Sequence, residues 1–256
     1  MENFLNTFLL VEGVPTDLVS FTFFIGTMAM MAASAFFFLS LDAGGAKWRT
    51  SILVSGLITF IAAVHYYYMR DASVSGESVT FFRYVDWILT VPLMCVEFYL
   101  ILQKAGAKKS LMWNLILLSV IMLVTGYIGE APALVDGKVV PIEGTDYVQT
   151  LGDSQIWGTI SGVAYFAIVY ILWFGSAGQL AKKAGGAVLD AFNALKWFVL
   201  VGWAIYPIGY MIGTDGWYNF VGALGWDMEV VYNVGDAINK IGFGLVIYNL
   251  AVSDKK

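Results

Sequence analysis

The chain has 256 residues, of which 59% are apolar and 13% are charged, whereas an ordinary globular domain is about 45–50% apolar and about 25% charged. This balance excludes a typical soluble enzyme, a disordered chain and a coiled coil, and leaves the membrane class. The net charge of −5 comes without a basic patch, so a nucleic-acid partner has no electrostatic support. With one cysteine, Cys95, and one histidine, His65, an intramolecular disulfide and a multi-histidine metal site are excluded.

Seven stretches are long and apolar enough to span a bilayer, since a spanning helix needs about 20 mostly apolar residues. The pattern predicts an all-α membrane protein, a seven-transmembrane-helix bundle that forms one domain over residues 1–256. Turn-forming residues at 130–153 predict a loop or a small hairpin. The predicted helices cover about residues 18–41, 50–70, 80–104, 110–129, 154–181, 191–214 and 228–252.

Positive charges are concentrated in the connectors at one end of the predicted bundle. The positive-inside rule places this end in the cytoplasm, and an odd number of spans then puts the N-terminus outside and the C-terminus in the cytoplasm. Arg83 therefore lies near the outer start of the third helix. The residues assigned to the cytoplasmic end are Lys47, Arg49, Lys104, Lys108, Lys109, Lys182, Lys183, Lys196, Lys255 and Lys256.

The third predicted helix carries two carboxylates, which are costly inside a membrane and indicate function. Asp86, Thr90 and Glu97 are spaced i, i+4 and i+11, so they share one helix face. At 1.5 Å per residue the two carboxylates are about 16 Å apart along the axis. This spacing favours stepwise proton transfer over a purely structural role.

The seventh predicted helix carries Asp236 and Lys240, one helical turn apart. One interpretation is a structural ion pair that fixes helix packing, as buried pairs often do. The other is a lysine that condenses with an aldehyde to form a Schiff base, with Asp236 as its counterion. The pair alone does not decide between them.

Aromatic side chains follow one stripe of the sixth predicted helix, where Trp203, Tyr206 and Tyr210 are spaced i, i+3 and i+7. Such a stripe is typical of a packed core and also of a pocket for a bulky ligand. Pro207 lies within it and interrupts the helical hydrogen bonding, which lets the helix bend around a ligand.

Three motifs in chain order resemble the retinal-binding signature of microbial rhodopsins. They are RYVDWILTVP at 83–92, WAIYP at 203–207 and DAINK at 236–240. The resemblance covers all seven segments and is strongest to the proteorhodopsin subfamily. It implies a light-driven outward proton pump of the bacterial inner (plasma) membrane, which binds all-trans retinal covalently, generates proton motive force and forms a homo-oligomer, a pentamer or hexamer.

Two alternatives remain open. The first is a sensory photoreceptor of the same fold without net transport. The second is a seven-helix transporter or receptor without retinal, in which Asp236 and Lys240 only pair. The set Asp86, Thr90 and Glu97 resembles that of proton pumps, because the family's sodium pumps carry Asn, Asp and Gln at these positions and its chloride pumps lack the acceptor carboxylate.

The resemblance implies a role for each ionisable residue. Lys240 holds retinal as a protonated Schiff base, Asp86 is the counterion and proton acceptor, Asp236 is the second counterion, and Glu97 is the proton donor. The resemblance also implies that Arg83 lies on the extracellular side of the counterions and that Thr90 forms a hydrogen bond near Asp86. It further implies that His65 pairs with Asp86. The alternative for His65 is an interior histidine that is hydrogen-bonded to other partners.

The resemblance further implies a chromophore pocket and two tuning positions. Met94, an apolar residue at the spectral tuning position, indicates green absorption. Gly158 matches a glycine of relatives that bear a carotenoid antenna, although ordinary close helix packing is an equally good interpretation. The pocket-lining residues implied are Trp87, Trp203, Tyr206, Pro207 and Tyr210.

Overall fold

The computed structural model describes residues 17–131, 154–214 and 227–254. Its helices form seven spans that are long and apolar enough to cross a membrane, which confirms the predicted bundle. The connector predicted at 130–153 lies almost entirely outside the described residues, and the single domain over 1–256 stays a prediction. The helices are Leu18–Leu39, Arg49–Val74, Thr80–Leu102, Lys109–Glu130, Ser154–Trp173, Ser176–Ala184, Gly186–Trp197, Ile205–Ile212 and Met228–Ser253.

The boundary between the fifth and sixth spans differs from the prediction. The fifth span, Ser154–Ala184, consists of two helices that meet at Gly175, and the sixth span already begins at Gly186 rather than at 191. Gly185 and Gly186 have φ values of 65° and 49°, a left-handed backbone that ends one helix and starts the next. The prediction followed the charged residues, whereas the glycine pair sets the actual boundary.

The sixth span is interrupted by a π-helical turn, Phe198–Gly202, between its two α-helices. Pro207 lies in the first turn of the helix Ile205–Ile212, where its missing N–H removes no helical hydrogen bond. The α-helix of the sixth span is therefore interrupted at the π turn, before Pro207, and not at Pro207 itself.

The spans differ in how much of their surface is buried by their neighbours. In the most apolar window, 61% of residues are buried in the third span and 50% in the seventh, compared with 28% in the fifth and sixth. Large apolar side chains such as Phe60 and Phe166 lie on the outside of the bundle, as expected for contact with lipid. The spans that carry the predicted ionisable residues are thus among the inner ones.

Small residues allow the first two spans to pack closely, which is the usual way helices associate in a membrane. A Cβ atom added to Gly56 would lie 2.7 Å from the Phe38 ring, and one added to Gly26 would lie 2.8 Å from the Tyr66 ring. At each glycine, an aromatic ring packs directly against the helix backbone.

Asp254, just after the seventh span, connects that span to the turn before the second. Its carboxylate accepts hydrogen bonds from the Lys47 ammonium and from Trp48 Nε1, the latter at 2.9 Å. The Lys47 contact holds the pKa of Asp254 below its ordinary value. This link closes the ring of spans at the lysine-rich end of the bundle.

Candidate functional site

The third and seventh spans bring three charged side chains together in the centre of the bundle. Lys240 Nζ lies 2.5 Å from Asp86 Oδ2 and 2.5 Å from Asp236 Oδ2. All three side chains are buried, with 3% or less of each exposed. Two carboxylates that face one ammonium leave the cluster with a net negative charge, a suitable environment for a cation held at the Lys240 nitrogen.

The two carboxylates of this cluster differ in the hydrogen bonding of the oxygen atom that does not contact Lys240. Asp236 Oδ1 accepts a hydrogen bond of 2.8 Å from the Tyr206 hydroxyl. Asp86 Oδ1 is buried and has no partner among the described residues. Thr90 donates to the backbone carbonyl of Asp86 at 2.9 Å rather than to its carboxylate. Asp86 therefore keeps a free oxygen, whereas both oxygens of Asp236 are hydrogen-bonded.

Arg83 lies one helical turn before Asp86 and points away from the lysine cluster. Its guanidinium donates to Glu229 at 3.2 and 2.6 Å and lies 4.7 Å from the centre of the Tyr232 ring. The neighbouring Tyr84 donates to Glu130 at 2.7 Å. Nothing in the sequence distinguishes these two glutamates from the other acidic residues near predicted connectors.

His65 does not donate to or accept from Asp86 in this structure. Its Nδ1 lies 2.8 Å from the carbonyl oxygen of Ile61 in the same helix, although its side chain is near enough to Asp86 for an electrostatic interaction. The pairing of His65 with Asp86 stays a prediction.

We expect His65→Ala to move the midpoint of the absorbance titration that reports protonation of Asp86, because the variant removes a titratable group from its surroundings. The measurement is the absorption maximum of the purified protein as a function of pH. Tyr67→Phe on the exposed side of the same helix is the control. Equal midpoints in wild type and His65→Ala would contradict the pairing.

Glu97 lies three helical turns beyond Asp86, toward the lysine-rich end. It is fully buried, and neither carboxyl oxygen has a hydrogen-bond partner among the described residues, although the Ser51 side chain is close. The adjacent Phe98 packs edge-on against Phe192 and Phe243, with ring centres 5.7 and 5.8 Å apart. Glu97 is thus a buried carboxyl group in a largely apolar region, with the Ser51 side chain as its polar neighbour.

A cavity of about 310 Å³ lies beside the lysine cluster, between the third, fourth, fifth and sixth spans. Tyr206 belongs to both, since its hydroxyl bonds to Asp236 and its ring lines the cavity, 4.6 Å from the Trp87 ring. Met94 is buried in the core but is not a lining residue. The predicted residues that line the cavity are Trp87, Gly158, Trp203, Tyr206, Pro207 and Tyr210.

The structure adds lining residues from the fourth and fifth spans that the sequence did not reveal, among them Met122, Leu123 and Tyr165. Apart from Gly158, no residue of these two spans was marked by a charge within the predicted helix or by a motif. An apolar cavity of this size next to a buried amine fits an elongated apolar ligand attached to Lys240.

Two glycines of the fifth span, Gly158 and Gly162, line the cavity and differ in their surroundings. Gly158 packs directly against the Tyr210 ring, whereas nothing lies within 4 Å of a Cβ atom added to Gly162. The neighbouring lining residue Phe166 is 63% exposed. There is therefore open space beside Gly162, one turn beyond Gly158, and the opening predicted at Gly158 stays a prediction.

Comparison with known proteins agrees with this architecture. Residues 17–254 match the family described as bacteriorhodopsin-like protein. The chain belongs to the microbial rhodopsins. This rhodopsin is 39% identical over 243 residues to the green-light absorbing proteorhodopsin of Gamma-proteobacterium EBAC31A08, covering 93% of this chain and 88% of that protein. It is equally 39% identical over 246 residues to the blue-light absorbing proteorhodopsin of Gamma-proteobacterium Hot 75m4, with the same coverage.

A solved structure in the same family is that of xanthorhodopsin, described as a light-driven ion pump with dual chromophore. It has a TM-score of 0.73 and 29% identity to this rhodopsin, and the alignment covers 93% of this chain and 94% of that one. Family membership and the seven spans make this rhodopsin a multi-pass protein of the bacterial plasma membrane and a transporter rather than an enzyme. Retinal is the chromophore of the family.

Proposed function

We propose that this rhodopsin is a light-driven proton pump that moves protons outward, with all-trans retinal attached to Lys240 as a Schiff base. The observation that carries the proposal is the position of Lys240 Nζ, 2.5 Å from each of two buried carboxylates. Retinal supplies light absorption and an isomerisation that changes the proton affinity and the accessibility of the Lys240 nitrogen. The aromatic cavity beside Tyr206 holds its polyene.

The two carboxylates have different roles in this proposal. Hydrogen bonding stabilises an anionic carboxylate, and Asp236 receives such a bond from Tyr206 in addition to the Lys240 contact. Asp86 has one oxygen without a hydrogen bond, so protonation of Asp86 sacrifices fewer stabilising contacts than protonation of Asp236 does. Asp86 is therefore the proton acceptor, and Asp236 remains the anionic counterion.

Glu97 supplies the next proton from the opposite side. A carboxylate in an apolar region with no cation beside it and only the Ser51 side chain close by is costly, so burial favours the protonated form of Glu97. Its position toward Lys104, on the end that carries most positive charges, places it between the Lys240 nitrogen and the cytoplasm.

Direction follows from the order of these groups along the third span. Asp86 lies toward Arg83, whose ion pair with the half-exposed Glu229 leads to the other end of the bundle. A proton taken by Asp86 and replaced through Glu97 has moved from the lysine-rich end to the Arg83 end. With the lysine-rich end in the cytoplasm, the N-terminus outside and the C-terminus inside, net transport is outward.

The deciding experiment records external pH in an unbuffered suspension of expressing cells supplied with all-trans retinal. We expect light to acidify the medium and a protonophore to abolish the change. Cells grown without retinal are the control. Coloured cells without acidification would favour the sensory photoreceptor, and cells without colour would disprove the attachment to Lys240.

The apolar Met94 at the tuning position supports green absorption, whereas overall identity is the same to the green- and the blue-absorbing relative. An absorption maximum in the blue would contradict this assignment. A pentameric or hexameric homo-oligomer remains part of the proposal.

The lining glycines Gly158 and Gly162 support a carotenoid antenna that contacts the chromophore through an opening in the fifth span. We expect purified protein reconstituted with a xanthophyll to show a carotenoid band in its retinal excitation spectrum. Gly162→Phe fills the opening and should remove this band. Val163→Phe, on the exposed neighbour that does not line the cavity, should leave it unchanged. Absence of the band in the wild type would reject the antenna.

A further inference from the structure

The π turn of the sixth span leaves backbone carbonyls that the helix itself does not satisfy, and side chains from two neighbouring spans bond to them. The Tyr165 hydroxyl of the fifth span lies 3.1 Å from the Val199 carbonyl and 2.8 Å from that of Leu200. The Asn239 amide of the seventh span donates to the Gly202 carbonyl at 2.8 Å. The break in the helix is therefore held from both sides.

Asn239 is directly next to Lys240 in the sequence. Successive helix residues point about 100° apart, so Lys240 faces Asp86 on the third span while Asn239 faces the sixth. Its side chain is 4% exposed and lies against Gly202, where any added Cβ atom would collide with it. The contact thus requires an asparagine on one span and a glycine on the other.

The residue after Gly202 is Trp203, which is 2% exposed and lines the ligand cavity. Its backbone N–H closes the π turn by donating to the Phe198 carbonyl at 3.0 Å. The hydrogen bond from Asn239 to Gly202 therefore connects two neighbouring points: the lysine that would carry the chromophore and the tryptophan that would contact it. The Asn239 side chain also lies next to the Tyr206 hydroxyl, on the same side of the sixth span.

We propose that Asn239 is a positioning residue that couples Lys240 to the break in the sixth span. A displacement at Lys240 or at Trp203 strains the same hydrogen bond, so the bond holds the π turn closed in the dark, and its re-formation limits how fast the span returns after light. This inference rests on the proposed function, because it assumes that Lys240 carries retinal.

The first test is made in the dark on protein prepared without retinal, so it does not depend on the proposed function. We expect Asn239→Ala to speed amide hydrogen exchange at Trp203–Tyr206 by about fivefold, which corresponds to about 1 kcal/mol. The matched control is Asn233→Ala, since Asn233 is also buried in the seventh span but donates to Thr22 of the first span at 3.0 Å. Unchanged exchange in Asn239→Ala, or an equal increase in the control, would overturn the coupling.

The second test uses the protein with retinal and follows recovery of its ground-state absorbance after a flash. We expect recovery to slow several-fold in Asn239→Ala and to be nearly normal in Asn233→Ala, with both proteins coloured. Tyr165→Phe, which removes only a hydroxyl from the other side of the π turn, should slow recovery as well and serves where Asn239→Ala does not fold. Normal recovery in both Asn239→Ala and Tyr165→Phe would overturn the inference. A colourless wild type would instead reject the proposed function.

Discussion

Asp86→Asn is expected to abolish light-driven acidification while the protein still binds retinal and remains coloured. An amide cannot take up the proton that the carboxylate accepts, so we expect the pumping rate to fall by about 10²-fold or more. Asp236, which lies 2.5 Å from Lys240 Nζ in the unsubstituted protein, would still leave a protonated nitrogen at Lys240 one counterion. The measurement combines the visible absorption spectrum with the external pH of illuminated cells.

Asp236→Asn is the matched variant, because Asp236 contacts Lys240 Nζ at the same distance and is buried to the same degree. It should retain a measurable acidification, since Asp86 remains to accept the proton. Pumping that survives in Asp86→Asn and is lost in Asp236→Asn would reverse the two roles and contradict the argument from the Tyr206 hydrogen bond.

The lysine cluster was predictable from the sequence because few charges occur within the spans. A charged residue inside a membrane helix needs a partner, and the spacing of Asp236 and Lys240 already places them on one face. Asp86 belongs to another span, and its contact with Lys240 rested on the resemblance to microbial rhodopsins until the structure placed them 2.5 Å apart. The contact between Asp86 and Lys240 therefore comes from the packing of the two spans, which spacing within one helix does not specify.

The interruptions of the fifth and sixth spans were not predictable by the same reasoning. Counting charges sets where an apolar stretch begins and ends, but it carries no information about backbone breaks inside the stretch. The π turn at Phe198–Gly202 depends on partners from other spans, Tyr165 and Asn239, which are far away in the sequence. Pro207 marked the right region but not the position of the break.

The surroundings of Arg83 also depend on contacts that a single sequence does not specify. Glu229 and Glu130 stood among several acidic residues near connectors, and only the structure shows that Glu229 pairs with Arg83 and that Glu130 bonds to Tyr84. His65 shows the opposite case, since its partner in the structure is its own helix rather than Asp86. Such contacts depend on how each helix is rotated about its own axis, because the rotation determines which neighbouring span a side chain faces.

Glu97→Gln is expected to leave the first proton transfer intact and to slow the return of a proton to the Lys240 nitrogen by about 10²-fold, the typical loss when a positioned acid is removed. Flash spectroscopy separates the two steps, because the variant should reach its deprotonated form at the normal rate and persist in it. Steady-state acidification should fall in proportion to the slower cycle.

A small membrane-permeant weak acid, such as hydrazoic acid in equilibrium with added azide, should restore the rate in Glu97→Gln, because it can deliver a proton to a site that has lost its own donor. The same acid should do nothing for Asp86→Asn, where the acceptor is missing. Cys95→Ser, two residues away in the same buried helix, controls for disturbed packing. If Glu97→Gln recovers at the wild-type rate without added acid, protons reach Lys240 by a route that bypasses Glu97, and its burial without a partner has only a structural meaning.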